Sequence, residues 1–147
     1  MKKSLVMILL LIICISALTA QTGMLGLSFG LSADECRTIL ESHGLHQIAQ
    51  DESKVSYAPL GKELFNEVWL YFHDDGTDLN QWTINYPNTA DSLDIEHEVI
   101  NQVIALHGDK YKWDDFMEVY YWKLGQEAYV ECGWNCGDDY YFISYYK

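Results

Sequence analysis

Apolar positions along this chain recur with two periods, about 3.6 and about 2 residues, and each change of period marks an element. The stretch Leu31-Ser32-Ala33-Asp34-Glu35-Cys36 carries a capping box. Ser32 can accept from the backbone N–H of Glu35 while Glu35 reaches back to Ser32, so a helix is predicted to start there. Its apolar face is Cys36, Ile39, Leu40 and His43, and Gly44 supplies the left-handed residue that stops it. Gln47 to Gln50 and Lys54 to Ala58 follow as two short strands around the turn Asp51-Glu52-Ser53. From Phe65 the period becomes two, with Val68, Leu70 and Phe72 on one face and Glu67, Trp69, Tyr71 and His73 on the other. Asp74-Asp75-Gly76 turns the chain, and Trp82, Ile84 and Tyr86 continue the alternation, so Phe65 to Tyr86 forms a predicted hairpin. A second helix spans Ser92 to His107 on the stripe Ile95, Val99, Val103 and Leu106, with Gly108 as its stop. Three closing strands are predicted at Phe116–Lys123, Glu127–Gly133 and Tyr140–Tyr146.

Short links between consecutive strands favour antiparallel neighbours. The predicted class is therefore α+β, with two helices packed on one face of a mostly antiparallel β-sheet in the order α-ββ-ββ-α-βββ. A chain of 147 residues with 49% hydrophobic and 14% aromatic composition agrees with one packed domain. Its first 20 residues stand apart from that domain. Lys2 and Lys3 precede an apolar run from Leu5 to Ile15, and the small residues from Ser16 to Ala20 suit cleavage. Residues 1–20 are thus predicted to be a secretory signal, residues 21–147 a single exported domain, and the destination periplasmic or extracellular. The apolar core of that signal is too short for a comfortable membrane span, and no later stretch approaches the roughly 18 apolar residues one needs.

Export changes the reading of charge and of cysteine. Without Lys2 and Lys3, 7 basic side chains face 22 acidic ones, a formal charge of −15 that repels nucleic acid. Cys14 lies inside the signal and follows the large Ile13, which disfavours acylation there. Cys36, Cys132 and Cys136 remain, allowing one disulfide in any of three pairings. Cys132 and Cys136 flank Gly133-Trp134-Asn135, a segment short enough for a turn, and are the preferred pair in an oxidising compartment. Cys36 falls on the apolar helix face, where a cysteine serves as a small core residue.

Candidate chemistry is chiefly aromatic, with 5 Trp and 11 Tyr. Trp69 and Tyr71 share one register, Tyr120 and Trp122 another, and with Tyr129 they are candidate ligand-binding residues lining the sheet face away from the helices. The alternative is that these rings pack beneath other segments or pair across strands. Asp74, Asp75 and Asp78, Asp114 and Asp115, and Asp138 and Asp139 lack calcium-loop spacing and suit turns. His43 and His46 straddle the helix stop at Gly44, so they do not share a metal-binding helix face. His43 and His107 occupy last turns, where the helix dipole favours imidazolium. No nucleophile elbow, phosphate loop or dinucleotide fingerprint is present. Neither a cofactor, nor a metal, nor an enzyme activity is predicted.

The opening Gly26-Leu27-Ser28-Phe29-Gly30-Leu31-Ser32, with Glu35, Leu40 and Gly44, resembles the start of a broad group of exported bacterial domains. That group includes the β-lactamase-inhibitor-protein-like domains and the outer-membrane assembly lipoproteins of the SmpA/OmlA type. Val68-Trp69-Leu70-Tyr71-Phe72 with Asp75-Gly76 and Leu79, then His107-Gly108, Trp122 and Tyr145, extend the resemblance over most of the mature chain. The lipid-anchoring Cys usual at the mature N-terminus of the assembly lipoproteins has no counterpart near Ala20. What the resemblance implies is a non-catalytic binding or adapter module of the cell envelope that recognises a protein partner. A glycan-binding module, or less directly a hydrolase with an acid pair, are the alternatives.

Overall fold

The computed structural model describes residues 22–73, 76–88, 92–135, 137 and 140–147. The predicted signal, the Asp74-Asp75 turn, Asp138, Asp139 and Cys136 lie outside the described residues. A 3-10 turn at Met24–Gly26 leads into helix α1, Ala33–Ser42. Four strands follow, β1 (Leu45–Gln50), β2 (Lys54–Pro59), β3 (Glu67–Phe72) and β4 (Leu79–Pro87). Helix α2, Ser92–His107, precedes β5 (Lys112–Asp114), β6 (Val119–Lys123), β7 (Tyr129–Asn135) and β8 (Tyr140–Tyr146). All eight strands form one antiparallel sheet in the order β1-β2-β3-β4-β8-β7-β6-β5. The α+β class holds, and the order gains one strand.

That extra strand comes from a turn inside the segment predicted as Phe116–Lys123. Asp114 Oδ1 accepts from the backbone N–H groups of Phe116 and Met117, both at 2.9 Å, and Glu118 adopts φ +54°. An aspartate bonding the backbone just after it competes with strand pairing, so the chain reverses there and Lys112–Asp114 becomes a separate edge strand. The topology is two meanders, β1 to β4 and β5 to β8, joined by the pairing of β4 with β8. In the N-terminal segment Gly30 donates to the Leu79 carbonyl and Leu79 donates to that of Leu31, stitching it to β4. A Cβ on Gly23 would lie 2.6 Å from the Trp82 ring, so this approach requires glycine.

Helix α1 starts as its sequence dictates, with both halves of the capping box formed. Bonds from Ser32 hold the Glu35 carboxyl below its ordinary range. Beyond Ser42, Gly44 takes φ +77°, which ends the helix and turns the chain into β1. Cys36 and Leu40 of α1 and Ile95, Val99 and Val103 of α2 join one buried cluster with Tyr57, Val68, Leu70, Trp82, Ile84, Ile143 and Tyr145.

Register assigns each strand residue to a face. The row Val55, Leu70, Trp82, Tyr145, Val130, Trp122 runs across six strands and belongs to the core side. The row Ser56, Trp69, Thr83, Ser144, Glu131, Tyr121 is one residue out of phase with it and lies on the opposite side.

Two expectations fail against this register. Trp122 is 2% exposed, donates from its indole N–H to the Gly108 carbonyl at 2.8 Å, and is a core residue. Tyr120 shares its side and packs edge-on against Tyr111 and tilted against Trp113. Neither ring lies with Trp69 and Tyr71, because the alternation of β6 puts Tyr121 and Lys123 on that side.

The second failure concerns Cys132, whose thiol is free and buried, as is that of Cys36; the predicted Cys132–Cys136 disulfide is not formed among the described residues. The turn it assumed is strand. Extended spacing carries Asn135 about 10 Å from Cys132. Gly133, within the predicted strand, marks a close approach: a Cβ there would meet Val119 Cγ1 at 2.7 Å and the Glu118 carbonyl at 3.0 Å. Burial pushes both thiols up to about 12, so neither is a ready nucleophile.

Candidate functional site

The side of the sheet opposite the core is a shallow groove with a polar floor and aromatic walls. Its floor is a hydroxyl pair on adjacent strands, Thr83 Oγ1 and Ser144 Oγ at 3.0 Å, with Gln81 Nε2 donating to Ser144 Oγ at 3.3 Å. Thr83 and Ser144 are both buried. Trp69, Tyr71, Tyr140 and Phe142 wall a cavity of about 230 Å³ above that floor, which Glu131 and Asn135 close. A second cavity of about 300 Å³, lined by Asp114, Met117, Val119, Tyr121, Tyr129, Glu131 and Tyr146, adjoins it. Glu131 belongs to both.

Trp69 is held on three sides. Its indole N–H donates to Glu67 Oε2 at 2.5 Å, Lys54 Nζ lies 4.4 Å from the ring centroid, and Tyr140 meets it edge-on at 5.8 Å. It is therefore a fixed wall of the groove. Tyr71 and Tyr129 lie in the next row, Lys54, Tyr71, Gln81, Tyr146, Tyr129, on the same side. So Trp69, Tyr71 and Tyr129 share the open face, and Tyr120 and Trp122 do not.

Glu131 is the titratable centre of this face. The Tyr146 hydroxyl donates to its Oε2 at 3.2 Å, while burial raises its carboxyl above the ordinary glutamate range. Burial, and then the charge of Glu131, push Tyr146 up to about 12. Asp114, read as a turn residue, fills that role and also borders the second cavity.

Nothing in the aromatic count pointed to Glu131, Tyr121, Tyr146, Thr83 or Ser144. Parity could have: Lys123 shares a phase with Tyr121, Glu131 with Tyr129, and Ser144 with Tyr146, each polar residue marking the side its strand turns away from the core.

On the core side, Trp82 and Tyr145 stack at 4.5 Å with an interplanar angle of 7°. The Tyr145 oxygen accepts from the Met24 backbone N–H at 3.2 Å and lies 3.0 Å from His107 Nε2. Burial lowers the His107 pKa, so the imidazolium predicted at this helix end is disfavoured. His43 and His46 are exposed on either side of Gly44. Among the described residues no three His, Cys, Asp or Glu side chains gather as a metal site, and no helix is long and apolar enough to cross a membrane.

No family model, curated protein or solved structure matches the chain.

Proposed function

We propose that this chain is an exported, non-catalytic binding module of the bacterial cell envelope, in which both helices close one face of the sheet and the other face takes a protein partner. One observation carries the reading: the groove in which a Thr83–Ser144 hydroxyl floor is walled by Trp69, Tyr71, Tyr140 and Phe142. Rigid rings with polar surroundings offer large contact area at small entropic cost, and the half-exposed Gln81 amide at the groove can bond to a polypeptide backbone. The His107–Tyr145 contact and the 3.4 Å bond from the Trp134 indole to Glu96 support α2 lying on the core side, away from this groove. The resemblance to inhibitor-like and assembly-lipoprotein domains favours the same kind of activity. A glycan is the second reading, favoured by the hydroxyls and Gln81 beside a tryptophan.

The test is site-specific photo-crosslinking in the envelope, with p-benzoylphenylalanine replacing Tyr71 in one variant and exposed Leu60 in another. A defined envelope protein captured from position 71 alone, and lost at high salt, is the expected result. Capture from both positions alike would remove the groove from the reading. Salt-independent retention of polysaccharide would put the glycan in the partner's place.

A further inference from the structure

We infer that the second cavity of the open face receives a cationic group of the partner, a lysine ammonium or arginine guanidinium, between the rings of Tyr121, Tyr129 and Tyr146 and against the carboxylates of Glu131 and Asp114. The inference rests on the open face being the recognition surface and adds the chemistry of what it recognises. A cavity of about 300 Å³ has room for such a head group and part of its stem. Tyr129 and Tyr146 lie 5.8 Å apart and 21° from parallel, presenting ring surface to that space. The negative faces of aromatic rings attract a desolvated cation, and adjoining carboxylates complete its hydrogen bonding.

Both carboxylates are held by their own surroundings. Asp114 Oδ1 is tied to two backbone N–H groups of the β5–β6 turn, and Glu131 Oε2 takes the Tyr146 hydroxyl. Glu131 is half-buried, and among the described residues the ion pair is Arg37–Asp34 on α1, far along the chain from this cavity. A half-buried carboxylate served by one phenol is poorly compensated, and an entering cation would compensate it. Lys112 on edge strand β5 and Lys123 at the end of β6, the nearest cations by register, are exposed and do not line the cavity. The same face already shows the pairing once, where Lys54 sits over Trp69. A chain with a formal charge of −13 also attracts basic partners over longer range.

The experiment titrates the protein, its tyrosine rings labelled with carbon-13, with tetralysine amide, with tetramethylammonium and with neutral chitotetraose, followed by two-dimensional NMR. Tetralysine should shift the Tyr121, Tyr129 and Tyr146 ring signals, and tetramethylammonium should shift them more weakly. Glu131→Gln, which keeps the side-chain shape, should weaken tetralysine binding roughly ten-fold or more. Tyr129→Leu serves as a second variant should Glu131→Gln fail to fold. Unmoved ring signals at millimolar tetralysine, or undiminished binding by a folded Glu131→Gln protein, would overturn the inference. A partner crosslinked from position 71 whose capture ignores Glu131→Gln would overturn the cation site and leave the recognition surface standing. Glu131-dependent binding of tetralysine with no crosslinked partner would do the reverse.

Discussion

On the core face of the sheet Trp82 and Tyr145 stack at 4.5 Å, fully buried; on the open face Trp69 and Tyr140 meet edge-on at 5.8 Å and stay half-exposed. The residue types are the same, although Trp82 and Tyr145 lie on paired strands and Trp69 and Tyr140 on strands with β4 between them. The difference lies in the surroundings: Trp82 is flanked by Leu70, Ile84 and Ile143, whereas Trp69 is flanked by Lys54, Glu67 and Thr83. Aromatic content alone therefore says little about function here, and the polar residues interleaved with the rings say more. Where the interleaved residues are aliphatic, a ring is core. Where they are hydroxyls, an amide and a carboxylate, the rings wall a groove.

The sharpest way to break this comparison is to delete one ring from each face. Trp122→Ala should cost about 3–5 kcal/mol, because it leaves a cavity and orphans the Gly108 carbonyl. Trp69→Ala should cost about 1 kcal/mol, the worth of a cross-strand pair. Urea denaturation of both variants measures the contrast, and equal losses would mean that the two faces are equally packed.

A smaller contrast comes from hydroxyl groups. Ile143→Thr puts a hydroxyl among apolar side chains and should cost about 2–4 kcal/mol. Ser144→Ala removes one from the adjacent position on the open side and should cost about 1 kcal/mol, the worth of the hydrogen bonding it shares with Thr83 and Gln81. The same denaturation assay ranks them, and a reversed order would contradict the assigned phase of β8.

The smallest expected effects are in pH, and they have opposite signs on the two faces. His107 has a lowered pKa in the folded chain, so the unfolded chain takes up a proton first as pH falls through the ordinary histidine value of 6.5. Stability should drop in that window and level off once folded His107 is also protonated. Glu131 has a raised pKa, so the folded chain keeps its proton as pH rises past the ordinary value of 4.5, and stability should fall there until the folded carboxyl ionises. Denaturation midpoints from pH 4 to pH 8 should lose the first slope in His107→Gln and the second in Glu131→Gln. Slopes unchanged in both variants would show that neither group carries the dependence.

Half of the candidate site was legible beforehand. The alternation from Val68 to Phe72 separates core positions from Trp69 and Tyr71, and register leaves those two rings on the open side. Tyr129 lies with them. The side that Tyr120 and Trp122 face is not legible locally, because β6 reads Val-Tyr-Tyr-Trp-Lys, in which both phases are aromatic and only Lys123 breaks the tie. Glu131 does not stand out among 22 acids, since its half-burial arises from strands remote in sequence.

What the sequence determined by itself is local. The capping box at Ser32 and Glu35, the helical stripe through Val99 and Val103, the stop at Gly44 and the two-residue period of β3 need only neighbours a few positions away, so near-range chemistry settles them. Only the tertiary structure decided the pairing of β4 with β8, the continuation of β7 through Trp134 and Asn135 and the side of the sheet that Trp122 faces. These depend on how eight strands fit together, and a shift of one residue in any register would exchange its two faces. The groove exists because that fit put hydroxyls, carboxylates and half of the rings on the side away from the core.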